Sequence, residues 1–155
     1  FADMKAKDKA IIVYESIWNN TASMAFALAE GMGMNGIDVK LYQASKTSSS
    51  LIMKELMDAK AIIIGSGNYN NAMSPEIAGF VEKLTSMKPK GKKAYVFGSY
   101  GWGNVVIKAI EERLEKGKIP LFDLPSSSIQ YTPNAFHLDN IYETGVKLAE
   151  AIKQM

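Results

Sequence analysis

Three stretches of this chain combine residue types that could hold a ligand. The first is ESIWNNT (15–21), which follows the apolar run AIIVY (10–14) and precedes a segment with helical spacing. It is rich in hydroxyls and amides, carries one carboxylate and has no Lys or Arg. Its backbone N–H groups, with the side chains of Ser16, Asn20 and Thr21, can surround an anion, and a helix starting here adds its partial positive charge. A phosphate in such a loop is neutralised by dipoles alone. Taken by itself, the loop is equally compatible with an ordinary polar turn between a strand and a helix.

The second stretch, SGNYNNAMSP (66–75), follows AIIIG (61–65). It exceeds the roughly 2–6 residues usual for such a connection, and long loops on a rigid scaffold are often functional. The third, GSYGWGN (98–104), sets Tyr100 and Trp102 between glycines. Large aromatics in a flexible loop suit a planar ligand, although Trp102 could equally pack under its own loop. An anion site at a helix start, joined by loops with aromatic side chains, reads as a site for a phosphorylated aromatic cofactor.

The elements that must position these loops are legible from periodicity. AIIVY (10–14), AIIIG (61–65) and AYVFG (94–98) are continuous apolar runs, the pattern of strands covered on both faces, as in a parallel sheet. IDVKLY (37–42) alternates, which places it nearer an edge. A fifth strand is expected to begin near Ile119 and continue irregularly through LFDLPSSSIQYT. Helical faces run through Met24, Ala25, Leu28, Ala29 and Met32; through Leu51, Ile52, Leu56 and Met57 after a cap at Ser48–Ser50; and through Ile77, Phe80, Val81 and Leu84. Val105, Val106, Ala109, Ile110 and Leu114 mark a fourth, stopped at Gly117. Leu138, Ile141, Tyr142, Gly145, Ala149 and Ile152 mark a fifth. Ser74-Pro75 is a start signal for the third helix, with Ser as N-cap and Pro at the first helical position. Five strand–helix units with right-handed crossovers predict an α/β fold, a five-stranded parallel sheet with helices on both faces. Such sheets bind ligands beyond the carboxyl ends of their strands.

Length and composition narrow the function. The 155 residues suit one domain with a full core, and the formal net charge of +2 does not point to nucleic acid. The lysine cluster KPKGKK (88–93) reads as a solvated turn. With no cysteine and only His137, the chain offers no disulfide, thiolate metal site or histidine cluster, and no metal ligands are assigned. No apolar run is long enough to span a membrane and no signal peptide is visible, so a cytoplasmic setting is the default. GMGMNG (31–36) fits a dinucleotide-binding pattern, but it ends a helix and precedes a strand, so it is a helix stop. A phosphate-receiver domain of related fold needs clustered acids at strand ends, and only Glu15 and Glu76 are offered. The nine methionines read mostly as core fillers, with Met73 in a binding loop as the exception, and His137 reads as a surface or capping residue.

This combination resembles the flavodoxin family, and more narrowly the FMN domain of flavodiiron proteins, the A-type flavoproteins. The residues that carry the resemblance are IIVYESIWNNTASMA, SGNYNNAMSPEIAGFVEKL, KPKGKKAYVFGSYGWG followed by AIEERL, and the start FADMKAKDKAIIVYES. FGSYGWG is the most specific part. Flavodiiron domains usually have Pro-Thr after the Ser of the second loop, where Gly67-Asn68 stand here. Generic flavodoxins prefer Gly where Asn19 or Asn20 stands.

The resemblance implies a flavodoxin-like fold of the short-chain type and FMN as cofactor. Ser16, Ile17, Trp18, Asn19, Asn20 and Thr21 would then hold the phosphate and ribityl chain. Ser66, Gly67, Asn68, Tyr69 and Asn70 would approach the ring edge. Ser99, Tyr100, Gly101, Trp102 and Gly103 would stack on or flank the ring. It implies an electron-transfer domain with no catalytic residue of its own. Such a domain takes electrons from rubredoxin or a reductase and passes them to a diiron site in a metallo-β-lactamase-like domain, in the same polypeptide or a dimer mate, that reduces O2 or NO. The chain begins at Phe1, and FADMKAKDK resembles the segment joining the two domains, so residues 1–8 are expected to be a linker remnant and 9–155 the FMN-binding domain. A stand-alone flavodoxin, an FMN-dependent NAD(P)H:quinone reductase and a cofactor-free interaction domain are the alternatives.

Overall fold

The computed structural model describes residues 6–15, 20–67, 72–100, 105–130 and 133–155. Strand β1 (Lys7–Glu15) leads into helix α1 (Asn20–Gly33), then β2 (Asp38–Gln43). A short 3-10 turn (Ala44–Lys46) precedes α2 (Ser49–Leu56), followed by β3 (Ala59–Ser66) and α3 (Pro75–Met87). The chain continues through β4 (Lys93–Tyr100), α4 (Val105–Lys116), β5 (Ser127–Gln130) and α5 (Ala135–Lys153). The five strands form one parallel sheet in the order β2-β1-β3-β4-β5. The alternating segment is an edge strand, as its pattern predicts. β1 starts at Lys7, so it includes Lys7 and Asp8 of the segment before the expected domain boundary.

The continuous apolar runs are explained by two cores. Successive side chains of a strand point to opposite faces. Ile11, Val13, Ile62 and Ile64 therefore meet α2, α3 and α4 on one face, where Ile77, Phe80, Val81, Leu84 and Ile110 close the layer. Ala10, Ile12, Ala61 and Ile63 meet α1 and α5 on the other, against Met24, Leu28, Leu148 and Ile152. On that second face α1 and α5 approach very closely. A Cβ at Gly31 would run into the carbonyl oxygen of Tyr142, and one at Gly145 into that of Leu28. The GMGMNG segment is thus a helix end with a packing role, and Gly36 turns the chain with φ of 85°.

Several expectations are corrected by helix phase. Leu51 is 44% exposed and Met53 is buried in its place; likewise Val105 is 48% exposed and Ile107 is buried. Each helix is rotated so that its first apolar residue falls outside the buried stripe. Leu138 and Tyr142 are only half-buried on α5. Met24, Met32, Met53 and Met73 are core residues, while Met34 and Met87 are exposed. Met73, set apart as an exception, also packs in the core.

The KPKGKK turn is not wholly solvated. Lys92 is buried, and its ammonium donates to the carbonyl oxygens of Met57 at 2.9 Å and of Ala59. The irregular fifth strand is also accounted for. Leu121 makes an isolated bridge to Ala94, and regular pairing resumes only at Ser127. Between them, the Tyr95 hydroxyl donates to the Pro125 carbonyl at 2.7 Å and lies 2.6 Å from Ser127 Oγ. Burial pushes the Tyr95 phenol up to about 12. Among the described residues, no helix is long and apolar enough to cross a membrane.

Candidate cofactor-binding site

The register of the sheet brings the three loops together. Glu15 pairs with Ser66, and Ser66 pairs with Gly98. The last residue of β1, the last of β3 and the sixth of β4 form one row; β1 and β3 end at it, and β4 ends two residues further on, at Tyr100. The strand order turns back between β1 and β3, which is where an open α/β sheet leaves a crevice. Gly98 is required at the third point, because a Cβ there would run into the Ser66 carbonyl oxygen.

Hydrogen bonds tie these exits to one another. The carbonyl of Glu15 accepts from the Gly67 N–H at 3.3 Å. The Ser66 hydroxyl donates to the Gly67 carbonyl at 2.8 Å and accepts from the Ser74 N–H at 3.1 Å. Ser74 is fully buried and caps α3 by accepting from the Ile77 N–H at 3.2 Å, with Pro75 following. The second loop is thus pinned at both ends by serines. Thr21, fully buried in the first turn of α1, sets its Oγ1 3.2 Å from Ser99 Oγ. That contact joins the first loop to the third across 78 residues of chain.

Of the sequence-predicted site residues, Thr21 and Ser99 are therefore brought into contact, and Ser66 and Gly67 form the base of the second loop. Asn20 opens α1. Ser16, Ile17, Trp18, Asn19, Asn68, Tyr69, Asn70, Gly101, Trp102 and Gly103 lie outside the described residues, as does the side chain of Tyr100. Residues that sequence reasoning did not place at this edge are Gln43 and Ser45. Both hydrogen-bond the buried carboxylate of Glu15, at 2.9 Å from Gln43 Nε2 and 2.7 Å from the Ser45 N–H. No local signal could have found them, because the pairing spans 28 and 30 residues. Burial, and second the Glu15 charge, raise the phenol of neighbouring Tyr14 above its ordinary value. His137 is a capping residue, as expected: its N–H donates to Asn134 Oδ1 at 2.9 Å, and its Nδ1 faces the Asn134 N–H at 3.4 Å.

The donor chemistry fits a phosphate. The segments leaving β1, β3 and β4 (15–21, 66–74 and 98–104) contain no Lys or Arg, so neutralisation falls to N–H groups, hydroxyls and the start of α1. Among the described residues, no group of three or more His, Cys, Asp or Glu is arranged to hold a metal.

The profile of the flavodoxin family matches residues 12–145. The chain belongs to the flavodoxin family. FMN is the cofactor of that family. The chain is also similar to proteins that contain a flavodoxin-like part. It is 37% identical over 152 residues to a nitric oxide reductase of Moorella thermoacetica, covering 98% of this chain and 38% of that protein. The rubredoxin oxygen:oxidoreductase of the anaerobe Desulfovibrio gigas superposes with a TM-score of 0.92 at 30% identity, over 99% of this chain and 38% of its own. A flavodoxin from the domain Archaea superposes with a TM-score of 0.84, also at 30% identity, over 94% of this flavodoxin chain and 99% of its own. The chain thus spans about two fifths of the flavodiiron-type relatives and the whole of a small flavodoxin. It is an electron-transfer flavodoxin domain homologous to the FMN domains of flavodiiron proteins.

Proposed function

We propose that this flavodoxin domain holds one FMN across its three strand-end loops and serves as the electron relay of a flavodiiron O2 or NO reductase. The observation that supports the site most directly is the row Glu15–Ser66–Gly98, at which β1 and β3 end and past which β4 runs two residues before its own loop. Residues 16–21 hold the phosphate and ribityl chain, with the first turn of α1 directed at the anion. Residues 67–70 line the ring edge, and Tyr100 and Trp102 flank the ring with Gly101 and Gly103 giving close backbone access. The hydroxyls of Ser66, Thr21 and Ser99 fix the loops relative to one another. When bound, FMN supplies one- and two-electron chemistry; the protein binds it, orients it and excludes water.

Similarity to a nitric oxide reductase and a rubredoxin oxygen:oxidoreductase supports rubredoxin or a reductase as donor. It supports a diiron metallo-β-lactamase-like domain, in the same polypeptide or a dimer mate, as acceptor. The setting is cytoplasmic, and the residues before β1 are the join to the rest of the protein. A free-standing flavodoxin is the second reading, favoured by the match over 99% of the archaeal flavodoxin.

The test is titration of the purified chain with FMN, followed by photochemical reduction. A yellow protein with about one FMN per chain, which when reduced donates electrons but forms neither N2O from NO nor water from O2 by itself, is the expected result. Four electrons are needed to take O2 to water, twice what one flavin stores. A colourless chain that ignores added FMN overturns the reading, and N2O or water formed by this chain alone overturns the relay role.

A further inference from the structure

Helix α1 and the first part of α5 carry acids and exposed aromatics but no cation. None of the chain's 18 Lys and Arg lies in residues 10–39 or 119–146, which include all of α1 and residues 135–146 of α5. The whole chain has a formal charge of +2, yet the charged residues of these two helix segments are Glu30, Asp139 and Glu143. Among the described residues none of the three joins an ion pair, whereas the acids near the strand starts are paired. Between the helices runs a groove of about 560 Å³, lined by Phe26, Ala27 and Glu30 on α1 and by Leu138, Asp139 and Tyr142 on α5. The outward side of a surface helix is ordinarily polar, but Phe26 is 56% exposed. Its ring stands edge-on to Tyr14 with centroids 6.3 Å apart, which braces it. Phe136, 70% exposed, stands one turn before Asp139 on the same helix. Both helices start at the edge where the strands end, and Phe26 lies only about 9 Å along α1 from its first residue at 1.5 Å per residue. The groove therefore lies beside the cofactor edge. A braced aromatic anchor within a rim of one charge sign is the anatomy of a protein interface: the anchor supplies affinity, and the rim sets encounter rate and partner choice. Acids that find no cation in their own chain suit a partner that brings them.

We propose that the α1–α5 groove is the docking surface for a redox protein whose own docking face carries Lys or Arg around an apolar tip, with that tip seated against Phe26 and the cations facing Glu30 and Asp139. Docking there sets the partner's redox centre beside the flavin. This rests on the reading that FMN lies at the strand-end edge.

The experiment mixes the photochemically reduced, FMN-loaded chain with a lysine-rich c-type cytochrome as cationic probe and with ferricyanide as a small anionic one. Each FMN reoxidised gives up two electrons, which turn two ferric haems ferrous or reduce two ferricyanide ions. The variants are Glu30→Lys with Asp139→Lys, Phe26→Ser, and a control, Glu82→Lys with Glu112→Lys, which changes the net charge equally at exposed acids of α3 and α4. At about 10 mM salt the groove reversal should slow cytochrome reduction at least about tenfold and the control less than about threefold. The difference should collapse at about 1 M salt, where the screening length falls from about 30 Å to about 3 Å. Phe26→Ser should slow the cytochrome at least about threefold at both salt levels, since an apolar anchor is not screened, and leave ferricyanide reduction and FMN affinity within about twofold. Equal slowing by the two reversals, or none by the groove reversal, overturns the proposal. So does a wild-type chain that self-associates through this face and loses the association in Phe26→Ser, because a second copy is then the occupant. A wild-type chain that takes up no FMN overturns the underlying reading as well, and shows this before any cytochrome is added, so the two failures are distinct.

Discussion

At the edge where the strands begin, charge is concentrated and paired. Lys9 sends its ammonium to Glu55 at 2.8 Å and Asp58 at 2.7 Å, Lys7 reaches Asp58 at 3.1 Å, and Lys60 reaches Asp8 at 2.7 Å. Burial works to lower the Lys9 ammonium, but hydrogen bonds and charge from Asp58 and Glu55 outweigh it and hold it above its ordinary value. The Lys9 hydrogen bond is the first cause that holds both carboxylates below theirs. Nearby, burial pulls Lys92 down while its ammonium binds two carbonyls. At the edge where the strands end, serines, a threonine and glycines replace the ion pairs, and the connections are held by hydroxyl and amide bonds. The first edge uses charge to close the fold. The second is held among the described residues by the hydroxyls of Thr21, Ser66, Ser74 and Ser99 and by the Glu15 carboxylate, and the proposed ligand there brings its own charge. Stability and binding should therefore respond separately to changes at the two edges.

The largest separation should come from the anion loop. Ser16→Ala with Thr21→Val removes two hydroxyls, each worth about 1.5–3 kcal/mol when bonded to a charged group. FMN affinity should fall at least about 100-fold and riboflavin affinity less than about tenfold, since 1.4 kcal/mol is about tenfold. Calorimetric titration of both ligands checks this, and equal losses would contradict a phosphate at this loop.

Next in size is the opposite edge. Lys9→Ala leaves Glu55 and Asp58 without their shared cation. The cost should be about 2 kcal/mol of folding stability, below the ~3–5 kcal/mol of a fully buried pair because both carboxylates keep contact with water. Urea unfolding measures it, and FMN affinity of the same variant should stay within about twofold. A large loss of FMN affinity would join the two edges and end the contrast.

The same network sets a pH dependence. The lowered carboxylates contribute stability that is present above their unfolded pKa near 4 and lost as pH falls through their lower folded values. The raised Lys9 contributes below its unfolded pKa of about 10.4 and loses that contribution as pH rises through its folded value. Stability should decline on both sides of this window, and Lys9→Ala should flatten both declines. Unfolding curves from about pH 3 to 11 test it; an unaltered profile in the variant would remove the network from the account.

The smallest effect is expected at Trp102. Contact with a flavin ring is worth about 0.5–1.5 kcal/mol beyond area burial. Trp102→Ala should weaken FMN by that amount and restore flavin fluorescence. If the fold is intact and neither changes, Trp102 packs only against its own loop.

Much of this was written in local pattern. Unbroken runs such as AIIIG fix a strand buried on both faces, because every side chain must be apolar when both sides are covered. Ser74-Pro75 announces the start of α3, since both signals act within one turn of chain. The lack of cations in the first loop, together with its hydroxyls, already pointed to a dipole-held anion. Those features depend on neighbours a few residues away. What tertiary structure alone decided depends on partners far apart in sequence. Register placed Glu15, Ser66 and Gly98 in one row. Packing rotated α2 and α4 so that Leu51 and Val105 face solvent. The β3 entrance supplied carbonyls that draw Lys92 inward, 33 and 35 residues from its partners. Glu15 looked like a stray acid until β2 brought Gln43 and Ser45 to its two oxygens. A side chain's type follows from its own position, but its hydrogen-bond partner is set by which strands the sheet places side by side.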